Sequence, residues 1–210
     1  MVKGLLIMDV DSTLIREEVI DLLGDYAGKG EVIADITERA MNGELDFRQA
    51  LDERVKLLEG LSQDVFAEVR KKVTVTDGAK ELIDTLHDRG YKVGLVSGGF
   101  HEIVDILAEE LNIDYVKANR LEVIDGKLTG KTQGEIVTKD TKVEYLKKWA
   151  VENGLDISQT IAMGDGANDI PMILTAGLGV AFCAKPAVRE QAPYQITEPN
   201  LALLLDLIEK

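Results

Sequence analysis

One cysteine, Cys183, stands among 210 residues, so no internal disulfide can form and a reducing compartment fits. Cys183 lies in the apolar segment VAFCAKP and is expected to be a plain buried thiol. Only two histidines occur, His87 and His101, on separate helical patterns with no second histidine or cysteine beside them. That excludes an imidazole or thiolate metal cluster, and both rings are expected at the surface. No run approaches the ~20 apolar residues of a membrane span. The short N-terminal run is interrupted by Asp9 and Asp11, against a signal peptide, and a cytoplasmic location is expected. Positive charge is scarce: 24 Lys and Arg against 38 Asp and Glu give a net charge of −14. A net negative field repels nucleic acid and anionic membranes, so neither is an expected partner. An anionic substrate then needs a local positive site or a metal.

What is present alternates. Lys3 to Val10, YKVGLVSGG (91–99), TIAMGDG (160–166) and GLGVAF (177–182) are short apolar runs that end in small or acidic residues. Helical patterns lie between them, at Ala79–Arg89, Phe100–Leu111 and Asp140–Glu152. This order predicts an α/β fold, a doubly wound parallel sheet with right-handed crossovers. NRLEVIDGKLTGKTQGEIV (119–137) alternates and turns at Asp125-Gly126, which predicts a β-hairpin. One connection is too long. About 60 residues separate Asp11 from the helix before the Tyr91 strand, where a crossover needs a dozen or more. They read as helices at about 17–27, 31–41, 46–59 and 63–72, broken at glycines. The expectation is an α/β core of residues 1–15 and 77–210 with a helical cap, 16–76, inserted over the strand ends.

Ligands bind at the carboxyl ends of such strands. Those ends carry Asp9 and Asp11, then Ser97-Gly98-Gly99, then Gly164-Asp165-Gly166, with Asn168 and Asp169 just beyond. Carboxylates without imidazole or thiolate suit a hard cation such as Mg²⁺. Gly98 and Gly99, at the expected start of the Phe100 helix, expose N–H groups suited to phosphate. Lys142 opens another helix and either adds a positive charge there or is one more surface lysine. In the cap, Arg54 falls within the apolar stripe of Phe47, Leu51 and Leu58. Either its stem covers apolar surface while the head snorkels, or the guanidinium is aimed into the site at a carboxylate or phosphate. A calcium loop at Asp9 is excluded, since Leu14 and Ile20 stand where that loop wants glycine and glutamate. The constellation points to phosphoryl transfer at a Mg²⁺ site.

These residues also resemble a known pattern. DVDSTLI, VSGG, Lys142 and GDGANDI are similar in order and spacing to the four motifs of the haloacid dehalogenase-like superfamily. Within it, DVDSTLIREEVID, the cap stretch AMNGELDFRQALDERVKLL, VSGGF and AFCAKP resemble the phosphoserine phosphatases. The resemblance implies a Rossmann-like core and hydrolysis of O-phosphoserine, with a related small-molecule phosphatase or a phosphotransferase as the alternative. It implies Asp9 as nucleophile and Asp11 as acid and base. Mg²⁺ would be held by Asp9, the Asp11 main-chain carbonyl and Asp165, with Asp169 acting through water. Ser97, Gly98 and Lys142 would hold the phosphoryl oxygens and Asn168 the substrate side. Glu18 would take the substrate ammonium and Arg54 its carboxylate, between Met41 and Phe47 as apolar walls.

Overall fold

A computed structural model describes residues 2–208. In chain order, β1 (Gly4–Met8) is followed by four helices, α1 (Val19–Tyr26), α2 (Gly30–Met41), α3 (Phe47–Lys56) and α4 (Val65–Lys72). Next come α5 (Ala79–Asp88), β2 (Tyr91–Phe100), α6 (His101–Glu110) and β3 (Tyr115–Asn119). A hairpin of β4 (Leu121–Ile124) and β5 (Lys127–Thr132) precedes α7 (Lys139–Glu152), β6 (Thr160–Gly164) and α8 (Ile170–Thr175). β7 (Leu178–Phe182) and β8 (Tyr194–Ile196) complete the sheet.

The six-stranded sheet runs β3-β2-β1-β6-β7-β8, and every pairing is parallel. β1 is central and wholly buried, as a continuous apolar run in a parallel sheet requires. Successive side chains of a strand face opposite ways. Leu6 and Met8 accordingly join the core under α5 and α6, while Leu5 and Ile7 pack with Leu146, Trp149 and Met172 of α7 and α8. The doubly wound α/β architecture is therefore present. Strand order reverses across β1, with β2 on one side and β6 on the other, and Met8 stands level with both Leu95 and Met163. Three strand ends therefore open side by side.

The insertion leaves and rejoins the core through two adjacent segments, with Ile15 bridged to Val75, Arg16 N–H on Thr74 O and Thr76 N–H on Leu14 O. Its helices begin and end within a few residues of their expected places. Gly98 and Gly166 let the insertion approach the strand ends: a Cβ at either would lie 2.6 Å from the Phe47 ring or 2.8 Å from Met41 Sδ. The hairpin turns at Asp125-Gly126, both with positive φ, as a two-residue turn of this hand demands. It braces the α3–α4 loop through Gly60 N–H on Leu128 O and Gln63 N–H on Gly126 O.

Three expectations need correction. Gly98 and Gly99 do not open a helix. β2 runs on to Phe100, which pairs with Asn119 of β3, and α6 starts at His101. Cys183 is exposed, not buried, because it sits just past β7 at φ +43°, its N–H held by Ile196 O at 2.7 Å. The two histidines are partly buried and bonded: His87 Nε2 lies 2.9 Å from Asp114 Oδ2. His101 Nε2 accepts the Ala118 N–H while Nδ1 meets Asp105 at 2.7 Å. Among the described residues, no helix is long and apolar enough to cross a membrane.

Candidate active site

Asp9 leaves β1 with its N–H on Met163 O at 3.0 Å and its own Oδ1 accepting the Val10 N–H at 2.8 Å. The chain then winds one wide turn, closed by Ile15 N–H reaching back five residues to Val10 O. Inside that turn Asp11 is extended and Ser12 left-handed, at φ +56°. Such strain in a non-glycine residue persists only where the surroundings impose it. The turn aims Asp11 back over the strand end, where Oδ1 accepts the Val19 N–H at the start of α1. Gly99 makes room for it, since a Cβ there would lie 2.5 Å from Asp11 Oδ2.

Lys142 is fully buried on the first turn of α7, a helix started by the reciprocal Thr138–Thr141 cap. Its ammonium lies 2.9 Å from Asp9 Oδ2 and 2.6 Å from Asp169 Oδ1. Burial alone would lower its pKa, but the Asp169 and Asp9 carboxylates more than reverse that and raise it. Asp169 spends its other oxygen on the N–H groups of Asp165 and Gly166, both at 3.1 Å. Asp165 Oδ1 accepts the Thr13 hydroxyl at 2.9 Å. Ser97 is buried and its Oγ accepts the Gly99 N–H at 2.8 Å.

The carboxylates crowd one another. Burial, then Asp169, push Asp165 up to about 7 and raise Asp9 well above its ordinary value. Burial pushes Asp11 up to about 6, against the Val19 N–H, which favours the anion. Asp9, Asp165 and Asp169 each offer an oxygen within 4.8 Å of the others, and among the described residues only Lys142 offsets their three charges at contact distance. An all-oxygen, under-neutralised cluster fits a hard divalent cation. Asp9 and Asp169 each have both oxygens bonded within the protein, Asp9 by the Val10 N–H and the Lys142 ammonium, whereas among the described residues Asp165 is bonded through Oδ1 alone.

Above this floor is a cavity. Asp9, Asp11, Gly98 and Asn168 line it from the core, and Glu18, Met41, Phe47 and Arg54 from the insertion. Arg54 is 2% exposed, its Nε on Ala50 O and Nη1 on Thr37 Oγ1, both at 2.9 Å. It does not snorkel. Burial lowers its pKa, and Glu18, Asp21 and Asp11 oppose that. Glu18 Oε1 accepts the Ser12 hydroxyl at 2.6 Å, and burial followed by Asp11 raises its pKa well above the usual range. Among the described residues, buried Asn168 Oδ1 has no hydrogen-bond partner. The structure thus brings the residues expected to bind substrate or metal to one region, while Cys183, His87 and His101 lie outside the cavity lining. It adds Ser12, Thr13, Thr37 and Asp21 as bonded neighbours, none flagged by periodicity because their partners come from other elements.

Metal-free protein should lose stability as pH rises. The folded state holds Asp11 near 6 and Asp165 near 7, above the ~4 of an unfolded aspartate. It therefore binds more protons than the unfolded chain between those limits. The associated stability is complete below pH ~4 and gone once pH exceeds the folded values. In EDTA the melting temperature should fall by several degrees from pH 5 to 7.5, and excess Mg²⁺ should recover it at pH 7.5. A metal-free protein equally stable at both pH values contradicts the crowding of charge.

A family model for haloacid dehalogenase-like hydrolases matches residues 6–174. The phosphoserine phosphatase of Streptococcus thermophilus is 69% identical over 209 residues, 100% of this chain and 97% of its own. A solved phospho-aspartyl intermediate analogue of a phosphoserine phosphatase superposes with a TM-score of 0.95 at 44% identity, covering 99% of each chain. A substrate-bound phosphoserine phosphatase complex matches with the same score, identity and coverage. Sequence and architecture agree over essentially the whole length, and the chain belongs to the haloacid dehalogenase-like hydrolase family.

Proposed function

We propose that this enzyme hydrolyses O-phosphoserine to serine and phosphate through an aspartyl-phosphate on Asp9. The observation that carries the proposal is the composition of one cavity: a buried guanidinium and a carboxylate, Arg54 and Glu18, face the strand ends bearing Asp9 and Asp11. A phosphate monoester with a free carboxylate and ammonium matches those charges. The relatives named phosphoserine phosphatase support the same reading. The reaction fits serine biosynthesis in the cytoplasm, and residues 16–76 serve as the cap.

In the first step an Asp9 oxygen attacks phosphorus while the bond to the serine oxygen breaks. The electron pair goes to that oxygen, and Asp11 supplies its proton. In the second step water attacks the phosphoryl group, Asp11 takes the water's proton, and the bond to Asp9 breaks to release phosphate and free carboxylate. Lys142, Ser97 and the Gly98 loop hold the phosphoryl oxygens, and Asn168 contacts the substrate. Asp9, Asp165 and the Asp11 carbonyl would hold Mg²⁺, with Asp169 acting through water. When bound, that ion offsets the repulsion between carboxylate and phosphate, about 4 kcal/mol per pair of unit charges at ~4 Å and a dielectric near 20.

Phosphate release across O-phosphoserine, phosphothreonine and phosphoethanolamine with Mg²⁺, with and without acceptor alcohols, tests this reading. O-Phosphoserine should be preferred, EDTA should abolish turnover, and released phosphate should equal released serine. No phosphate from O-phosphoserine, or phosphate passed mainly to the alcohol, would replace it.

Asp11→Asn should slow O-phosphoserine far more than an aryl phosphate, because a serine alkoxide leaves poorly without a proton and an aryloxide does not. Equal losses on the two substrates would make Asp11 a purely structural residue.

A further inference from the structure

We infer that Thr37 and Asp21 are positioning residues that set selectivity for the substrate carboxylate by fixing the plane of Arg54. The inference rests on the O-phosphoserine reading above. A guanidinium is planar, so two anchored nitrogens determine where the third points. Nε is anchored on Ala50 O, one turn back in α3, and Nη1 on Thr37 Oγ1 of α2. Nη2 is the nitrogen left for a ligand.

The Thr37 anchor depends on where its single proton goes. A hydroxyl has one donor and two lone pairs. Oγ1 lies 2.7 Å from Asp21 Oδ1 and 2.9 Å from Ile33 O, both acceptors only. The proton is spent on one of them, so a lone pair faces Arg54. Asp21 is the nearer acceptor and the charged one, which makes it the stronger. It also places a negative charge near Arg54, beside those of Glu18 and Asp11. The chain Asp21–Thr37–Arg54 thus draws α1, α2 and α3 onto one group. Without the Thr37 bond, only the Ala50 carbonyl holds a flexible side chain, and rotation about Nε swings the free nitrogen away from a bidentate carboxylate.

The test is a double-mutant cycle on the full-length enzyme with Mg²⁺, reading kcat and KM for O-phosphoserine and phosphoethanolamine. Thr37→Val, near-isosteric but without the hydroxyl, should lower kcat/KM for O-phosphoserine about tenfold to a hundredfold, the range for a hydrogen bond to a charged group. Most of the change should be in KM. Phosphoethanolamine has no carboxylate and should change by no more than about twofold. Thr37→Ser should restore most of the loss. In an Arg54→Ala background, Thr37→Val should cost O-phosphoserine almost nothing more, since coupled residues are not additive. Asp21→Leu should reproduce the selective loss and serves as the second variant if Thr37→Val does not fold. Equal losses on both substrates, or additive losses in the cycle, overturn the inference and leave Thr37 a structural hydroxyl. Failure of the wild type to hydrolyse O-phosphoserine overturns the parent reading instead.

Discussion

Asp9→Asn is expected to fold normally and to lose O-phosphoserine hydrolysis by several orders of magnitude. Asparagine keeps the shape and can still accept the Val10 N–H, so the strand end is preserved. It cannot supply the attacking anion. Cysteine and histidine do not replace it, since Cys183 and both histidines lie outside the cavity lining. A second readout separates loss of chemistry from loss of fold. Asp9 carries one of the crowded charges, its pKa raised first by burial and then by Asp169. Removing that charge should leave the metal-free variant at least as stable at pH 7.5 as the wild type. Measured kcat together with melting temperature checks both halves. A variant that turns over at near wild-type rate dismisses nucleophilic Asp9, and one that is inactive because it is unfolded shows Asp9 to be structural.

Arg54→Ala should reshape specificity. The guanidinium is buried on α3, and an unpaired charge there is expensive, so it calls for an anionic partner. In the proposed mechanism the phosphate is held by Lys142, the Ser97 loop and a cation, which leaves the substrate carboxylate for Arg54. Truncating one member of such a pair costs roughly 2–5 kcal/mol. At about 1.4 kcal/mol per factor of ten, kcat/KM for O-phosphoserine should fall roughly 30-fold to several thousand-fold. Phosphoethanolamine starts much lower and should barely change, so the gap between the substrates should shrink. Equal losses on both would assign Arg54 to the insertion or the phosphate.

Much of this arrangement was legible in the sequence for physical reasons. A parallel strand is buried on both faces, so Leu5 to Met8 announced β1 without any alternation, and Asp9 and Asp11 marked its end because like charges there need a reason. Arg54 stood out because a charge interrupts the stripe of Phe47 and Leu51. What stayed hidden depends on contacts across elements. Nothing in the pattern of α2 says that Thr37 meets an arginine 17 positions later, or that Thr13 reaches Asp165 across 152. Cys183 misled because its neighbours are apolar, and burial was decided by one left-handed residue after β7. Gly98 and Gly99 looked like a helix start, but pairing of Phe100 with β3 carried the strand further.

In the proposed mechanism Asp9 takes the phosphoryl group from O-phosphoserine. The most direct test is rapid acid quench of wild-type enzyme turning over ³²P-labelled O-phosphoserine with Mg²⁺, followed by peptide mapping of the protein-bound label. Label should form within the first turnover, reside on the peptide carrying Asp9, and be absent from Asp9→Asn. Phosphate released at full rate with no protein-bound label, or label on any other residue, would contradict it.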